Sequence, residues 1–124
     1  MSEPIEYNIN LDVKFAPLER IDIPTLVDEC TERWFNQTLT KVNGSVVRIG
    51  IVHGDFHWHK HDDDDEFFYV VSGELHIDVE DEATITLGPQ QGVTIPKGVM
   101  HRPRAPNKTV MLMMETASIV PTGE

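Results

Sequence analysis

Apolar and polar residues alternate in short runs along most of this 124-residue chain, and turn-forming residues separate the runs. Such alternation is typical of β-strands with one buried face, because successive side chains point to opposite faces. Asn43-Gly44 lies between two of these runs and is a strong signal for a tight hairpin. The pattern predicts about nine strands, at Thr38–Val42, Ser45–Val52, Phe56–His61, Glu66–Val71, Glu74–Glu80, Ala83–Leu87, Val93–Ile95, Met100–Arg104 and Thr109–Thr116. Short strands without long helices between them predict an antiparallel sandwich or barrel.

Ahead of the strands, the spacing of apolar residues becomes helical. Pro24 suits the first turn of a helix. The apolar residues that follow recur at helical intervals: Leu26, Val27, Cys30 and Trp34. One short helix is therefore expected between Pro24 and Arg33. We predict an arm with this helix over residues 1–36, a barrel over residues 37–118 and a tail over residues 119–124.

Size and charge narrow the classes of function. A chain of 124 residues fits one domain with one hydrophobic core. The formal net charge of −11 opposes binding to the phosphate backbone of nucleic acids and to anionic lipid. We therefore expect neither a nucleic acid nor a membrane as a partner.

The apolar runs and the single cysteine bear on location. The runs are far shorter than the ~20 residues of a membrane helix. Residues 1–10 lack the basic start and the apolar stretch of a secretion signal. The single cysteine, Cys30, excludes an internal disulfide framework. A cytoplasmic location is the expectation.

The candidate chemistry lies in a group of histidines. His57, His59 and His61 occupy alternate positions of one predicted strand, so their side chains share one face. Glu66 opens the next predicted strand after a short acidic turn, and His101 follows much later. These residue types are ligands for transition metals.

Metal coordination explains the spacing. Two imidazoles at alternate strand positions can bind one ion, a neighbouring strand can add a carboxylate, and a distant strand can add a third imidazole. The predicted ligands are therefore His59, His61, Glu66 and His101. Three nitrogens and one oxygen suit Fe(II), Mn(II), Ni(II), Cu(II) or Zn(II). The alternative is that these histidines lie on a solvent-facing strand and that Glu66 is another surface acid.

Two longer motifs resemble those of a known family. His59-x-His61-x₄-Glu66-x₆-Gly73 resembles the first cupin motif, and Gly92-x₃-Pro96-x-Gly98-x-x-His101 resembles the core of the second. The resemblance covers roughly Val46 to Glu115. The sequence departs from the usual pattern at His53, where a glycine is common, and at Ala105, where an asparagine is common. Neither departure removes a predicted ligand.

The resemblance implies an all-β fold, a double-stranded β-helix or jelly-roll cupin barrel with the ligands inside it and one short N-terminal helix. The chain looks most similar to the small single-domain proteins of the mannose-6-phosphate-isomerase-like cupin 2 group. The family implies an oxygenase-like (dioxygenase) or isomerase-like reaction on a small polar substrate, or a non-catalytic binding or sensor module for small molecules. It also implies a homodimer. The label reflects a shared fold and does not establish an activity.

Two features near the predicted ligands have alternative interpretations. His57 could line the pocket as a catalytic proton shuttle, or it could be a partly exposed histidine at the end of a strand. The acidic run Asp62–Asp65 could form a mouth that attracts cations, or it could be a solvated turn, which is the usual outcome for a charge run.

Overall fold

The computed structural model describes residues 6–123 and shows a mostly β architecture. Its elements in chain order are β1 (Tyr7–Asn10), α1 (Ile23–Glu29), β2 (Trp34–Val42), β3 (Ser45–Asp55), β4 (Glu66–Ser72), β5 (Leu75–Val79), β6 (Ile85–Leu87), β7 (Gly92–Ile95) and β8 (His101–Thr116). Six strands are hydrogen-bonded neighbours in the order β1-β2-β3-β8-β4-β7, and β5 pairs with β6 and β8. This arrangement confirms the predicted jelly-roll barrel.

Strand β8 is long enough to pair with three other strands. Its first half pairs with β5, where Arg104 lies opposite His76, and its second half pairs with β3 and β4. The predicted break at Pro106-Asn107 was therefore wrong. Residues 106–108 are exposed and lie where the register with β3 shifts, so they bulge out of the pairing. Proline is tolerated at such a bulge because no ladder hydrogen bond is needed there.

The segment that carries the histidines is not a regular strand. Strand β3 ends at Asp55, and residues 56–65 contain only an isolated bridge between His59 and His101. The strand predicted over Phe56–His61 was wrong in this respect. The segment still runs beside β8, because the Phe56 amide donates to the Pro103 carbonyl at 3.0 Å.

The N-terminal region contains more regular structure than the sequence predicted. Strand β1 pairs in parallel with β2, which begins at Trp34, so the boundary predicted at residue 37 lies inside a strand. Helix α1 starts one residue before the predicted Pro24 and ends at Glu29 rather than Arg33. In the described part of the chain, no helix is long and apolar enough to cross a membrane.

Two apolar clusters hold the fold together. The larger fills the barrel interior around Phe68, Val70, Leu75 and Ile77. The smaller lies outside the barrel wall and contains Leu39, Ile49, Ile51 and Val110, with α1 packed against it. Alternation along β3 explains this division, because its odd-numbered isoleucines face α1 while its even-numbered residues face the barrel interior. Because part of the apolar packing lies outside the barrel wall, the barrel interior can contain polar groups beside its apolar core.

Gly73 provides a test of this packing. Its φ of +90° is one that glycine adopts freely, and a Cβ there would lie 2.6 Å from Thr109 Oγ1 and 2.7 Å from the Lys108 carbonyl oxygen. We expect Gly73→Ala to lower the free energy of unfolding by about 2–4 kcal/mol, from backbone strain plus the clash. Gly44→Ala is the matched control, because a Cβ there meets nothing within 4 Å. Urea denaturation should show equal losses for the two variants if this account is wrong.

Candidate metal centre

His59 and His101 are tied to each other through their backbones. The His59 amide donates to the His101 carbonyl at 2.9 Å, and the His101 amide donates to the His59 carbonyl at 2.8 Å. Their rings lie side by side with centroids 4.5 Å apart. Two residues that are 42 positions apart in the sequence are thereby fixed as neighbours at the start of β8.

His61 and Glu66 are positioned by the turn that precedes β8. The Gly98 amide donates to the His61 carbonyl at 2.7 Å, and the Lys97 amide donates to Asp65 Oδ1 at 3.0 Å. Glu66 opens β4 opposite Ile95 of β7. These contacts hold the acidic run and the second motif together, so Asp65 has a structural role that the sequence did not indicate.

The four predicted ligands converge inside the barrel. His59, His61, Glu66 and His101 are all buried, and one donor atom of each lies within 4.8 Å of the others. Glu66 Oε1 is 3.5 Å from Nε2 of both His61 and His101. Donors bound at about 2.1 Å from one ion are separated from each other by about 3.0–3.4 Å, so the observed spacing fits a shared metal.

The ring orientations also fit a metal. His59 Nδ1 lies 3.0 Å from the His57 carbonyl, and His101 Nδ1 lies 2.8 Å from the Val99 carbonyl. A carbonyl only accepts, so each Nδ1 donates and each Nε2 keeps its lone pair for the interior. Within residues 6–123, neither His101 Nε2 nor Glu66 Oε1 has a partner with good hydrogen-bond geometry. Buried polar atoms in this state are what an ion would satisfy.

Burial and neighbouring groups set the protonation of the donors. The pKa of His59 is lowered to about 4: burial is the largest cause, His101 and His61 act in the same direction, and the His57 carbonyl and Glu66 oppose the shift. Burial alone would raise the pKa of Glu66, but the close polar contacts of its carboxylate with Glu115, His101 and His61 outweigh burial and lower that pKa. A neutral imidazole beside an ionised carboxylate is the state that binds metal.

A buried ion pair lies behind the donor cluster. Arg48 Nη1 is 3.0 Å from Glu115 Oε1, and the two side chains are 3% and 1% exposed. The Glu115 carboxyl is within hydrogen-bonding reach of Glu66. The pair therefore links β3 and the end of β8 to the carboxylate of the cluster, and contacts of this kind orient ligands in metal sites.

Arg48 and Glu115 were not predicted as site residues, although the sequence contains a signal for both. Arg48 is an even number of residues from Val46 and Val52, so the three side chains lie on the same face of the strand. Glu115 stands in the same relation to Met111 and Met113. A charged residue at an inward position of a strand is unusual unless it is paired. This alternation could have marked both residues as interior.

His57 lies beside the donor cluster and is exposed. Its ring stacks on Phe56 with centroids 4.2 Å apart, and Nε2 donates to the Thr122 carbonyl at 2.7 Å. The ring centroids of His57 and His59 are 5.5 Å apart. The backbone of His57 helps to fix His59, whereas the catalytic role of its side chain stays a prediction.

The C-terminal segment (residues 117–123) packs over the cluster. Gly123 adopts a φ of +98°, and a Cβ there would lie 2.6 Å from His59 Cβ. Only glycine allows so close an approach at this φ. Ile119 is buried, and Pro121 lines the cavity next to the donors. The segment therefore forms one wall of the site.

The other charged residues near the motifs lie outside the cluster. Asp62, Asp63 and Asp65 are exposed, as expected for a solvated turn. Arg102 and Arg104 both donate to Asp78, at 2.8 and 2.6 Å, and these hydrogen bonds lower the pKa of Asp78. The two arginines therefore belong to a surface ion-pair network.

Fold and donor cluster together define a jelly-roll protein with a candidate metal centre inside its barrel. The family model described as the cupin domain matches residues 46–116, more than half of the chain. The chain belongs to the cupin domain family, as the two motifs predicted.

Similar proteins agree with this assignment. The chain is 39% identical over 90 residues to the uncharacterized protein YdbB of Bacillus subtilis (strain 168), which covers 73% of this chain and 80% of YdbB. A cupin-2 domain containing protein from Shewanella frigidimarina matches with a TM-score of 0.73 and 31% identity over 77% of this chain and 93% of that one. Protein NMB1881 from Neisseria meningitidis matches with a TM-score of 0.70 and 26% identity over 79% and 99%. These names state no substrate.

The lowered pKa of His59 predicts a pH dependence of stability in metal-free protein. Between about pH 6.5 and 4, the unfolded chain takes up a proton that folded His59 does not. The stabilisation is complete above about pH 6.5 and decreases as the pH falls, by about 2 kcal/mol between pH 7 and 5. Urea denaturation with a chelator present measures this loss. His59→Gln should show a flatter profile in the same window, and parallel profiles would contradict the assignment.

The buried ion pair predicts a large cost for removing one partner. Arg48→Met leaves the buried Glu115 without its guanidinium counter-charge, so we expect unfolding to become easier by about 3–5 kcal/mol. Arg48→Met combined with Glu115→Leu should recover most of that loss. Arg104→Met is the surface control, and it should cost about 1 kcal/mol or less. Denaturant titration would refute the account if the double variant were no more stable than Arg48→Met.

Proposed function

We propose that this cupin binds one divalent transition metal through His59, His61, Glu66 and His101 and uses it to bind a small molecule. The observation that carries the proposal is the convergence of four buried donors within 4.8 Å of one another. The mixed nitrogen and oxygen donor set suits the metals that the sequence predicted, Fe, Mn, Ni, Cu or Zn.

A bound ion would act as a Lewis acid that polarises and orients an oxygen atom of the small molecule. The chain itself contributes the fixed directions of the imidazoles and the negative charge of Glu66. The carbonyls of His57 and Val99 hold two of the rings in place. The apolar barrel excludes bulk water, which strengthens electrostatic contacts inside it.

A reaction of the isomerase or dioxygenase type is the second candidate function. It is favoured by the position of His57, whose ring neighbours that of His59 at the mouth of the site. In that role, His57 would exchange a proton with the bound molecule once its hydrogen bond to the Thr122 carbonyl is released. The homodimer, the cytoplasmic location and the absence of nucleic-acid and membrane partners stay predictions from the sequence.

Metal titration tests the proposed site. Protein purified without an affinity tag, stripped with a chelator and dialysed should bind about one equivalent of Zn(II) or Mn(II), followed by calorimetry and elemental analysis. Combining His59→Ala with Glu66→Gln should weaken binding by about 100-fold or more, because half of the donors are lost. His53→Gln changes an exposed histidine and is the control.

Circular dichroism should confirm that all three proteins are folded. Uptake below about a tenth of an equivalent by the unmodified protein would contradict the proposal. Equal uptake by the double variant and the unmodified protein would also contradict it.

A further inference from the structure

The cavity beside the donor cluster has a mainly apolar wall. His59 and Glu66 line it on one side. The rest of the wall is mostly aromatic and apolar side chains, including Trp34, Phe56, Phe68, Met111, Met113 and Pro121. Aromatic and thioether surfaces of this kind favour flat, weakly polar ligands.

The charges around the cavity disfavour a phosphorylated or polyhydroxylated ligand. Among residues 6–123, no lysine or arginine lines this cavity. The nearby interior cation, Arg48, is already paired with Glu115. A phosphate or a sugar would lose its hydration without gaining enough polar partners. A divalent ion with three neutral imidazoles and one carboxylate would carry one net positive charge, which a single ionised ligand oxygen can neutralise.

One uncharged polar side chain of β2 also lines the cavity. Asn36 of β2 lines the wall, is 7% exposed, and has no described hydrogen-bond partner for its Oδ1. An unpartnered amide oxygen in a buried wall is costly unless a ligand or a water satisfies it. It can accept a hydrogen bond from a hydroxyl group of a ligand that also reaches the donor cluster.

We propose that this cavity binds a small, planar and largely apolar molecule with two adjacent oxygen atoms, of the aromatic vicinal diol class. The molecule is uncharged in solution, and one of its two hydroxyl groups releases its proton to the solvent on binding. The oxygens lie toward the donor cluster and Asn36, and the ring lies against the aromatic and methionine wall. The ligand proposal rests on the proposed metal site. It makes the ligand less polar than the small polar substrate expected from the sequence. It also separates the chain from the sugar-phosphate chemistry that the isomerase-like label implies.

Entry of such a ring requires the C-terminal segment to shift. The cavity volume is about 20 Å³, room for about one water. Pro121 supplies part of the wall, and the Thr122 carbonyl accepts from His57. A shift of Pro121 would enlarge the cavity, because this residue belongs to the wall and lies beyond the end of β8.

Binding of catechol to Zn(II)-loaded protein tests the proposal. Calorimetry should detect catechol binding, and mannose 6-phosphate should give no heat at the same concentrations. Asn36→Leu should weaken catechol binding by about 3- to 10-fold, the value of one hydrogen bond. Thr38→Val is the matched control, since Thr38 is the next inward residue of β2 and does not line the cavity. Like Asn36, Thr38 is buried, and its Oγ1 has no hydrogen-bond partner within residues 6–123.

Fluorescence locates the bound ligand. Trp34 lines the cavity, whereas Trp58 lies on the surface beneath Arg102, so Trp58→Phe leaves only the cavity tryptophan to report. Catechol should change the emission of this variant in parallel with the calorimetric signal.

The outcomes separate the two proposals. If the protein takes up no zinc, the metal site itself is wrong. If zinc binds and stays bound through gel filtration but catechol does not bind, only the ligand class is wrong. The ligand proposal would also be overturned by tighter binding of mannose 6-phosphate, or by equal effects of Asn36→Leu and Thr38→Val.

Discussion

The paired backbone hydrogen bonds between His59 and His101 are the constraint on which the centre depends. They join an irregular segment to the first residue of β8, and the Gly98 amide adds a third bond to that segment at His61. Ring direction then follows from the carbonyls of His57 and Val99. The donor geometry is therefore set by main-chain contacts, which side-chain substitutions elsewhere leave intact. This explains how a segment without regular strand pairing can hold two of the four donors, His59 and His61, in place.

The donor set could be predicted from the sequence because its spacing is carried by two compact motifs in the correct order. The alternation of the histidines led to residues that do converge in the structure, but through a wrong element, since residues 56–65 are not a strand. Side-chain direction there is fixed by bonds to β8, which lie outside any local pattern. The continuity of β8 through Pro106 was missed for a similar reason, because a bulge depends on the partner strand and not on the residues that form it.

The polar interior was the least predictable part of the site. Arg48, Glu115 and Asn36 each occupy inward positions. Alternation could have placed Arg48 and Glu115 on an inward face, but only the register of the paired strands shows which groups these side chains meet there. Replacing such groups with apolar residues would stabilise many barrels. Here, the two apolar clusters on either side of the barrel wall supply the stability, and the interior between them retains charged and amide groups around the donors.

The close packing of Gly123 on His59 has a practical consequence for handling the protein. A histidine-rich affinity tag joined at the C-terminal end would follow a segment whose Gly123 packs on His59 and that already forms one wall of the site. Its imidazoles would compete for the same ion and could occupy the mouth of the barrel. Metal contents and ligand affinities measured on such a fusion would describe the tag as much as the cupin.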